Sequence, residues 1–596
     1  MTAGEESMGK EENRQTCNLI SMIIVLSLVC LCMYGILGVY GFSLFPDEFG
    51  YWASAARALG YDFSEVASMG SYYSYGYSLI LIPLLSVFKD SVICYRAAVV
   101  VNLVLQILSF FIMIRILDDL AKGIKRPVRI ILAGSAVLYP SWVFYTQMTM
   151  SEALLFFLYT LIIFIMIRFL KEPSVLKGII LTLCTVYIYT VHMRTIGVAL
   201  SVFIMLMIKL IRGKDRERAA CIVSAALLTL GFVLALFAKD IVQGLLYNSG
   251  PVIRTSVNDY SGQSGKLIEI LTPKGFARFF VSMSGKILYL GCATFGTAFV
   301  GIYSLFRKML KKDKNAFFIL MTSAFQFLVM CVYLLHSADP GEKRFDLFVH
   351  GRYFDFAIPL LGVLGIYAFL ENKECRKTIV FSSVLTALSS VVAVLIVSLN
   401  RTGMSDPHGM LMIGMSYFLD LDDYRPVRTI ILSVLFSFAG AAVLIFLVSI
   451  YHRKHNAYVL LCIPLMLVVL GYSACNHFIY VCQSYIYGDI QVADKITDLR
   501  ISGFGGDIIL LYEGGLEYID TVQFRLRDEH IKVYYPGKDI SDHPEALKKY
   551  ISEIPQKAIV LTDFESSINL SLDESYNSSW EAGHFCIHYN RPDGDI

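Results

Sequence analysis

Runs of apolar residues separated by short polar connections fill most of the chain, and a bilayer core takes about 20 apolar residues per helical crossing. On that scale thirteen spans are expected, at 18–44, 91–117, 128–147, 150–170, 177–193, 195–211, 220–241, 286–306, 316–336, 353–371, 378–399, 427–450 and 457–481. The connections alternate in charge. Lys122/Lys125/Arg126, Arg168/Lys171/Lys177, Arg212/Lys214/Arg216/Arg218, Arg307/Lys308/Lys311/Lys312, Lys373/Arg376/Lys377 and Arg453/Lys454 all fall on one side, the cytoplasmic side by the positive-inside rule. The long loops 45–90, 242–285, 337–352 and 400–426 then lie outside. Residues 1–17 form a cytoplasmic tail and 18–483 the membrane domain. An odd number of crossings sends 484–596 outside.

That last segment changes period. "DIILLY" (507–512), "LEYIDTVQFRLR" (516–527), "HIKVYY" (530–535), "HPEALKKYISEI" (543–554) and "KAIVLTDF" (557–564) read strand, helix, strand, helix, strand, the order of a small extracytoplasmic α/β domain. The fold class expected is therefore mainly α, polytopic, with a C-terminal α/β module.

Composition agrees with the pattern. Of 596 residues 56% are hydrophobic and 17% charged, and the mean hydropathy is +0.60, which excludes an ordinary soluble enzyme. The net charge of +2 is too small to suggest nucleic acid. The 13 cysteines sit mostly inside apolar runs, without the spacing of a disulfide framework or a zinc site. With no retention signal either, a bacterial plasma membrane is the expected location. The polar, acidic start and the length of the first run distinguish it from a signal peptide.

The first outer loop carries the most chemistry. In "SLFPDEFGYWASAARALGYDF" (43–63), Pro46 suits a first helical position, Asp47 and Glu48 a first turn, and Gly60 a stop, so a helix is expected over 46–59. Tyr51, Ala55 and Leu59, with Trp52 and Ala56 beside them, make an apolar stripe suited to lying along the membrane surface. Acids in a first turn can simply serve the helix terminus, yet charge beside a bilayer is costly and commonly functional. "SYYSYGYSLILIPLLSVF" (71–88) then supplies Tyr72, Tyr73, Tyr75 and Tyr77 ahead of a second short helix. Interfacial aromatics are usual membrane anchors, and beside carboxylates they also suit a sugar or a lipid headgroup.

The Asp-Glu pair after the first span, the short helix, "YSYGY" and Arg96 in "VICYRAAVV" together resemble the GT-C superfamily of membrane glycosyltransferases, in particular the protein O-mannosyltransferase and lipid A aminoarabinose transferase branch. "YPSWVFYTQMTMSEALLFFLY" (139–159), with Glu152 opening a helix, "GIILTLCTVYIYTVHMRTIGVAL" (178–200), with Arg194 at a bend, and "HGRYFDFAIPLLGVLGIYAF" (350–369), with Arg352-Tyr353 before a helix, continue the likeness over roughly residues 18–370. The family's usual "Y-x-P-P-L" is replaced by "YSYGYSLI", and nothing after about 372 matches.

The resemblance implies inverting transfer of a sugar from a polyprenyl-phosphate donor to a hydroxyl-bearing glycan, lipid or protein acceptor on the outer face. Such a reaction needs a base for the acceptor proton and cations for the departing phosphate. Carried over from the family, Asp47 is the base and Glu48 its helper, orienting the acceptor or a divalent cation (Mg or Mn) bound through Asp47 or Glu48. Neighbours on a helix diverge by about 100°, so the two acids are not expected to grip one atom. Tyr72, Tyr75, Tyr77, Arg96, Glu152, Arg194, Arg352 and Tyr353 are the candidate substrate contacts. Arg254, Lys274, Arg278, Lys343 and Arg344 are further cations in reach of the outer face, with Arg352 first choice for the phosphate. Arg96 and Arg194, set in apolar surroundings, need a partner, either a ligand or a structural pairing with Glu152 or Asp47. "DPGEKRFD" (339–346) reads as a charged outer loop that could close over substrate. His192, His336, His350 and His408 lack metal-ligand spacing. A flippase or transporter of lipid-linked sugars, or a polysaccharide polymerase, would share the topology.

Overall fold

The computed structural model describes residues 3–43, 47–70, 74–252, 263–371, 376–420, 423–514, 518–535 and 543–590. The chain is a multi-pass helical membrane protein carrying a small sheet near its C-terminus. Each of the thirteen expected runs contains a helix. Length and apolarity, however, qualify nine described helices as crossings, or eleven if each of two bent pairs counts as one. Helix Val175–Val191 has only 17 residues and Ile358–Glu371 only 14.

The largest departure is at 286–306, where one straight span was expected. Pro273–Ala293 and Thr297–Leu310 instead meet at a bend of 102°. Gly296 turns the corner at φ 75°, a conformation that costs glycine little. Thr297–Leu310 can then lie against Ile358–Glu371 at backbone contact. A Cβ on Gly301 would sit 2.0 Å from the Leu361 carbonyl oxygen, and one on Gly365 1.9 Å from that of Thr297, so only glycine allows this approach.

The two ends of the bundle differ in chemistry. At one end Arg129 pairs with Asp118 (2.9 Å), Arg168 with Asp119 (3.2 Å), and Lys308 Nζ donates to the Leu120 carbonyl (3.2 Å), which gathers three of the six basic loops in space. The opposite end holds the Asp47 helix and the sheet.

That sheet has five strands: β1 (Ile508–Leu511), β2 (Ile531–Tyr534), β3 (Ile559–Asp563), β4 (Ser578–Ala582) and β5 (Phe585–Tyr589), in the order β2-β1-β3-β5-β4. The first three are parallel and correspond to the expected strands; β5 runs antiparallel to both β3 and β4. Pattern reading missed the β4–β5 hairpin because β4 is short and alternates intermediate with exposed positions. Helical structure runs almost unbroken over 457–501, past the expected end of the last span at 481, and leads into the sheet.

The sheet unit is clamped to the segment 45–90. Arg525 bridges Asp90 and Asp494, and Arg527 donates to the carbonyls of Leu85 (3.0 Å), Phe88 (2.8 Å) and Lys89. Glu65 accepts from the Val533 amide (2.7 Å) and contacts His530 (3.1 Å). Phe524, 2% exposed, packs on Trp52 and Phe42, with ring centroids 4.7 and 5.2 Å away.

Candidate active site

Helix Asp47–Ala58 forms where its first-turn acids and Gly60, at φ 90°, delimit it. Its apolar stripe is covered by protein and not left for lipid. Tyr51, Trp52, Ala53, Ala55 and Ala56 are all fully buried, because small or aromatic residues surround most of the axis and let neighbouring elements pack closely, while Arg57 and Ala58 are exposed. The helix therefore holds Asp47 and Glu48 against the bundle and not against lipid.

The two acids diverge. Glu48 points inward and is saturated: Oε1 accepts the Ser43 amide (2.8 Å), while Oε2 accepts the Thr149 amide (2.8 Å), the Thr149 hydroxyl (2.7 Å) and the Tyr95 hydroxyl (2.7 Å). Burial pushes its carboxyl above the usual range, against the pull of these four donors. Trp52 Nε1 donates to the same Thr149 hydroxyl (3.0 Å), and Tyr51 OH donates to Ser151 Oγ (2.9 Å). The segment Thr149–Glu152 is thus stitched to the Asp47 helix.

Asp47 faces the other way, toward Arg352. Arg352 Nη1 donates to Asp47 Oδ2 (2.6 Å) and Arg352 Nε to Glu152 Oε1, so one guanidinium joins two carboxylates from elements far apart in the chain. The side chains of Arg352 and Glu152 are 4% and 2% exposed, and that of Asp47 13%, which leaves Asp47 as the most accessible of the three. Burial opposes the charge on Arg352, but Glu152 and then Asp47 hold it firmly protonated.

Next to this triad, the Arg194 guanidinium lies between the rings of Tyr333 and Tyr353, 3.7 Å from each centroid. Tyr353 also contacts the rings of His192 (5.7 Å) and His350 (4.2 Å), and Lys266 Nζ donates to the Tyr333 carbonyl. Arg194 and, through the chain neighbour Tyr353, Arg352 thereby belong to one cationic, aromatic cluster.

The other expected contacts are elsewhere. Arg96 caps the end of the first helix, donating from Nε to the Val39 carbonyl (2.9 Å) and from Nη2 to that of Leu37 (2.8 Å); its partners are backbone carbonyls, neither a ligand nor Glu152 or Asp47. Tyr75 donates to the Ala235 carbonyl (2.9 Å), and Tyr77, fully buried, donates to Asn102 Oδ1 (3.1 Å) behind the Tyr51 ring. Between them Gly76 presses on the end of helix Val175–Val191, where a Cβ would come 2.4 Å from the Val191 nitrogen. Tyr72 and Arg254 lie outside the described residues. Arg278 is bound to Glu269 (2.6 Å) and Asp339 (2.9 Å), Arg344 to Asp346 (2.6 Å), and Lys274 and Lys343 are exposed.

Loop 339–346 is fastened rather than free. The amide of Phe345 donates to the Asp406 carbonyl (3.2 Å), that of Asp406 to the Lys343 carbonyl (2.9 Å), and Asn400 Nδ2 to the Asp339 carbonyl (3.1 Å). Nor do the acids suit a divalent cation. No three His, Cys, Asp or Glu side chains gather among the described residues, Glu48 is filled by protein donors, and Asp47 faces a guanidinium.

Thr149, Tyr95, Tyr333 and Lys266 escaped sequence reasoning. The short "TMSE" run before a helix was the one available signal, and it did not distinguish a capping threonine from a carboxylate clamp.

No family model and no curated protein sequence matches the chain. Among solved structures, ArnT from Cupriavidus metallidurans bound to undecaprenyl phosphate is similar, with a TM-score of 0.50 at 11% sequence identity over 96% of this chain and 98% of that one. The chain has a GT-C-type fold. The apo form of the same ArnT gives 0.48 at 11% identity, over 95% and 97%. Within the GT-C-type fold the likeness runs through the region after 372, which carried no recognisable motif, and through the C-terminal sheet unit.

Proposed function

We propose that this protein is a membrane glycosyltransferase that moves a sugar from a polyprenyl-phosphate donor to a hydroxyl acceptor at the outer face, with the N-terminus cytoplasmic and the sheet unit outside. The observation that carries the reading is the Asp47–Arg352–Glu152 bridge beside Arg194, within a GT-C-type fold, at the end of the bundle away from the basic loops. A base and phosphate-binding cations stand within one side chain of each other.

Asp47 takes the proton of the acceptor hydroxyl as that oxygen bonds to the anomeric carbon. The bond from that carbon to the phosphate oxygen breaks on the opposite face, and the polyprenyl phosphate leaves with the electron pair. Arg352, joined by Arg194, receives the developing phosphate charge through planar N–H donors. In the free protein Arg352 is shared between Asp47 and Glu152. A bound phosphate competes for that guanidinium, which loosens its hold on Asp47 as the acceptor arrives, while Glu152 keeps Arg352 in place. Glu48 is a positioning residue that locks Thr149 and the Asp47 helix. No step runs through a metal, since the donor set does not suit one.

The test is Asp47→Asn, which keeps shape and an acceptor oxygen but removes the base. Purified full-length protein is given polyprenyl-phosphate sugars and a membrane extract of acceptors. A fall in transfer of about 10²–10⁴-fold is expected, with donor binding retained and the protein still folded, since Glu152 continues to pair Arg352. Undiminished transfer removes Asp47 from this role, and transbilayer movement of the lipid without transfer would mark a flippase instead.

A further inference from the structure

At the opposite end of the bundle, helices Ala3–Ile36, Ser91–Leu120 and Arg126–Val137 leave a cleft of about 680 Å³ between them. One arginine from each helix lines it: Arg14, Arg115 and Arg126. The spacing explains the convergence. Arg14 and Asn18 are four residues apart on one helix face, as are Phe111 and Arg115, and Arg126 and Ile130, so each helix turns a single stripe toward the cleft.

Among the residues whose side chains are described, no carboxylate lines the cleft and none of the three arginines is in an ion pair, although Arg129 and Arg168 close by are paired with Asp118 and Asp119. All three guanidinium-bearing side chains are exposed. One wall is apolar, with Phe111 49% exposed and Ile114 and Ile130 beside it in the lining, while Cys17, Asn18 and Ser21 line the cleft from Ala3–Ile36.

The geometry points to a binding site for an anionic phospholipid, its phosphate held among Arg14, Arg115 and Arg126 and an acyl chain running along Phe111 and Ile114. Basic residues are expected wherever helices end at a cytoplasmic surface. What sets this place apart is the gathering of three unpaired guanidinium groups over one cavity with a lipid-facing wall, the arrangement in which basic pockets between helices take phosphorylated headgroups. A free phosphate would meet the same donors but gain nothing from Phe111 and Ile114. On the sidedness proposed above, the lipid belongs to the inner leaflet; the site itself does not depend on the transfer reaction.

Native mass spectrometry of the full chain, titrated with phosphatidylglycerol, cardiolipin or phosphatidylcholine, tests this. The anionic lipids should be retained in preference to phosphatidylcholine. Arg14→Gln, Arg115→Gln and Arg126→Gln should each weaken their binding about fivefold, and the triple variant about 100-fold. A control that removes equal charge from exposed positions elsewhere, Arg212→Gln with Arg216→Gln and Arg453→Gln, should change it less than about twofold, since screening confines the effect to nearby charges. Equal loss in that control, no preference for anionic lipid, or displacement of the lipid by millimolar inorganic phosphate would each overturn the proposal. Because the three arginines are exposed, the variants should keep the fold, and the single substitutions decide the matter if the triple variant does not.

Discussion

Replacing Glu48 by Gln tests the internal logic of the site most sharply, because the side chain keeps its shape and loses only its charge and one acceptor. Oε2 receives three hydrogen bonds and Oε1 one, so the amide oxygen will take the Oε2 position and the NH₂ group will face the Ser43 amide, 2.8 Å from the present oxygen. Two donors then confront each other in a fully buried place. At about 1–3 kcal/mol for each orphaned group the loss is about 2–6 kcal/mol, of which removing a buried charge returns part, leaving about 2–4 kcal/mol. The loss should be measurable by denaturation in detergent micelles, followed by thiol labelling, since Cys32, Cys94, Cys292, Cys331 and Cys475 are buried and free. Transfer should fall as well, because Thr149 and Glu152 lose their anchor to the Asp47 helix. The pH dependence adds a check on sign. Burial raises the Glu48 carboxyl above its unfolded value, so between the two values the folded protein binds the extra proton, and stability falls as pH rises across that window. The Gln variant should lose that slope. Unchanged stability, within about 0.5 kcal/mol, would refute the clamp.

Arg352→Lys keeps the charge but cannot serve Asp47 and Glu152 from two separate nitrogens; most of the roughly 3–5 kcal/mol cost of breaking a buried pair should appear as lost stability, together with weaker donor binding in a lipid pull-down. Phe524→Ala should cost about 3–5 kcal/mol and lower transfer, since the ring supports Trp52 and through it Thr149, whereas Phe524→Leu should restore most of both. His350, fully buried and with neither ring nitrogen partnered among the described residues, has its pKa held well below 6.5 by burial and then by Lys286 and Arg352. Only the unfolded chain takes up that proton readily, so stability is complete above pH 6.5 and declines below it by up to about 1.4 kcal/mol per pH unit; His350→Phe should flatten that acid limb in pH-resolved melts.

Much of this protein was legible residue by residue. Apolar runs marked a polytopic chain, and three of the basic loops do gather at one end of the bundle. First-turn acids and Gly60 marked the Asp47 helix, and the change of period after 484 marked three of the five strands. Helical and strand periodicities are local, and each can be read within a dozen residues. The same reading also showed that Asp47 and Glu48 must point apart, though not which of them would face a cation.

What only the tertiary structure decided are pairings across long stretches of chain. Arg352 lies 305 residues from Asp47 and 200 from Glu152, and Phe524 reaches Trp52 from the far end of the molecule. The same packing turned the Asp47 helix inward when its stripe suggested lipid, gave Arg96 to backbone carbonyls, and bent 273–310 at Gly296. Each outcome depends on which surfaces meet and exclude water. That is settled by the shape and burial of whole helices, and so the pattern within any one of them could not disclose it.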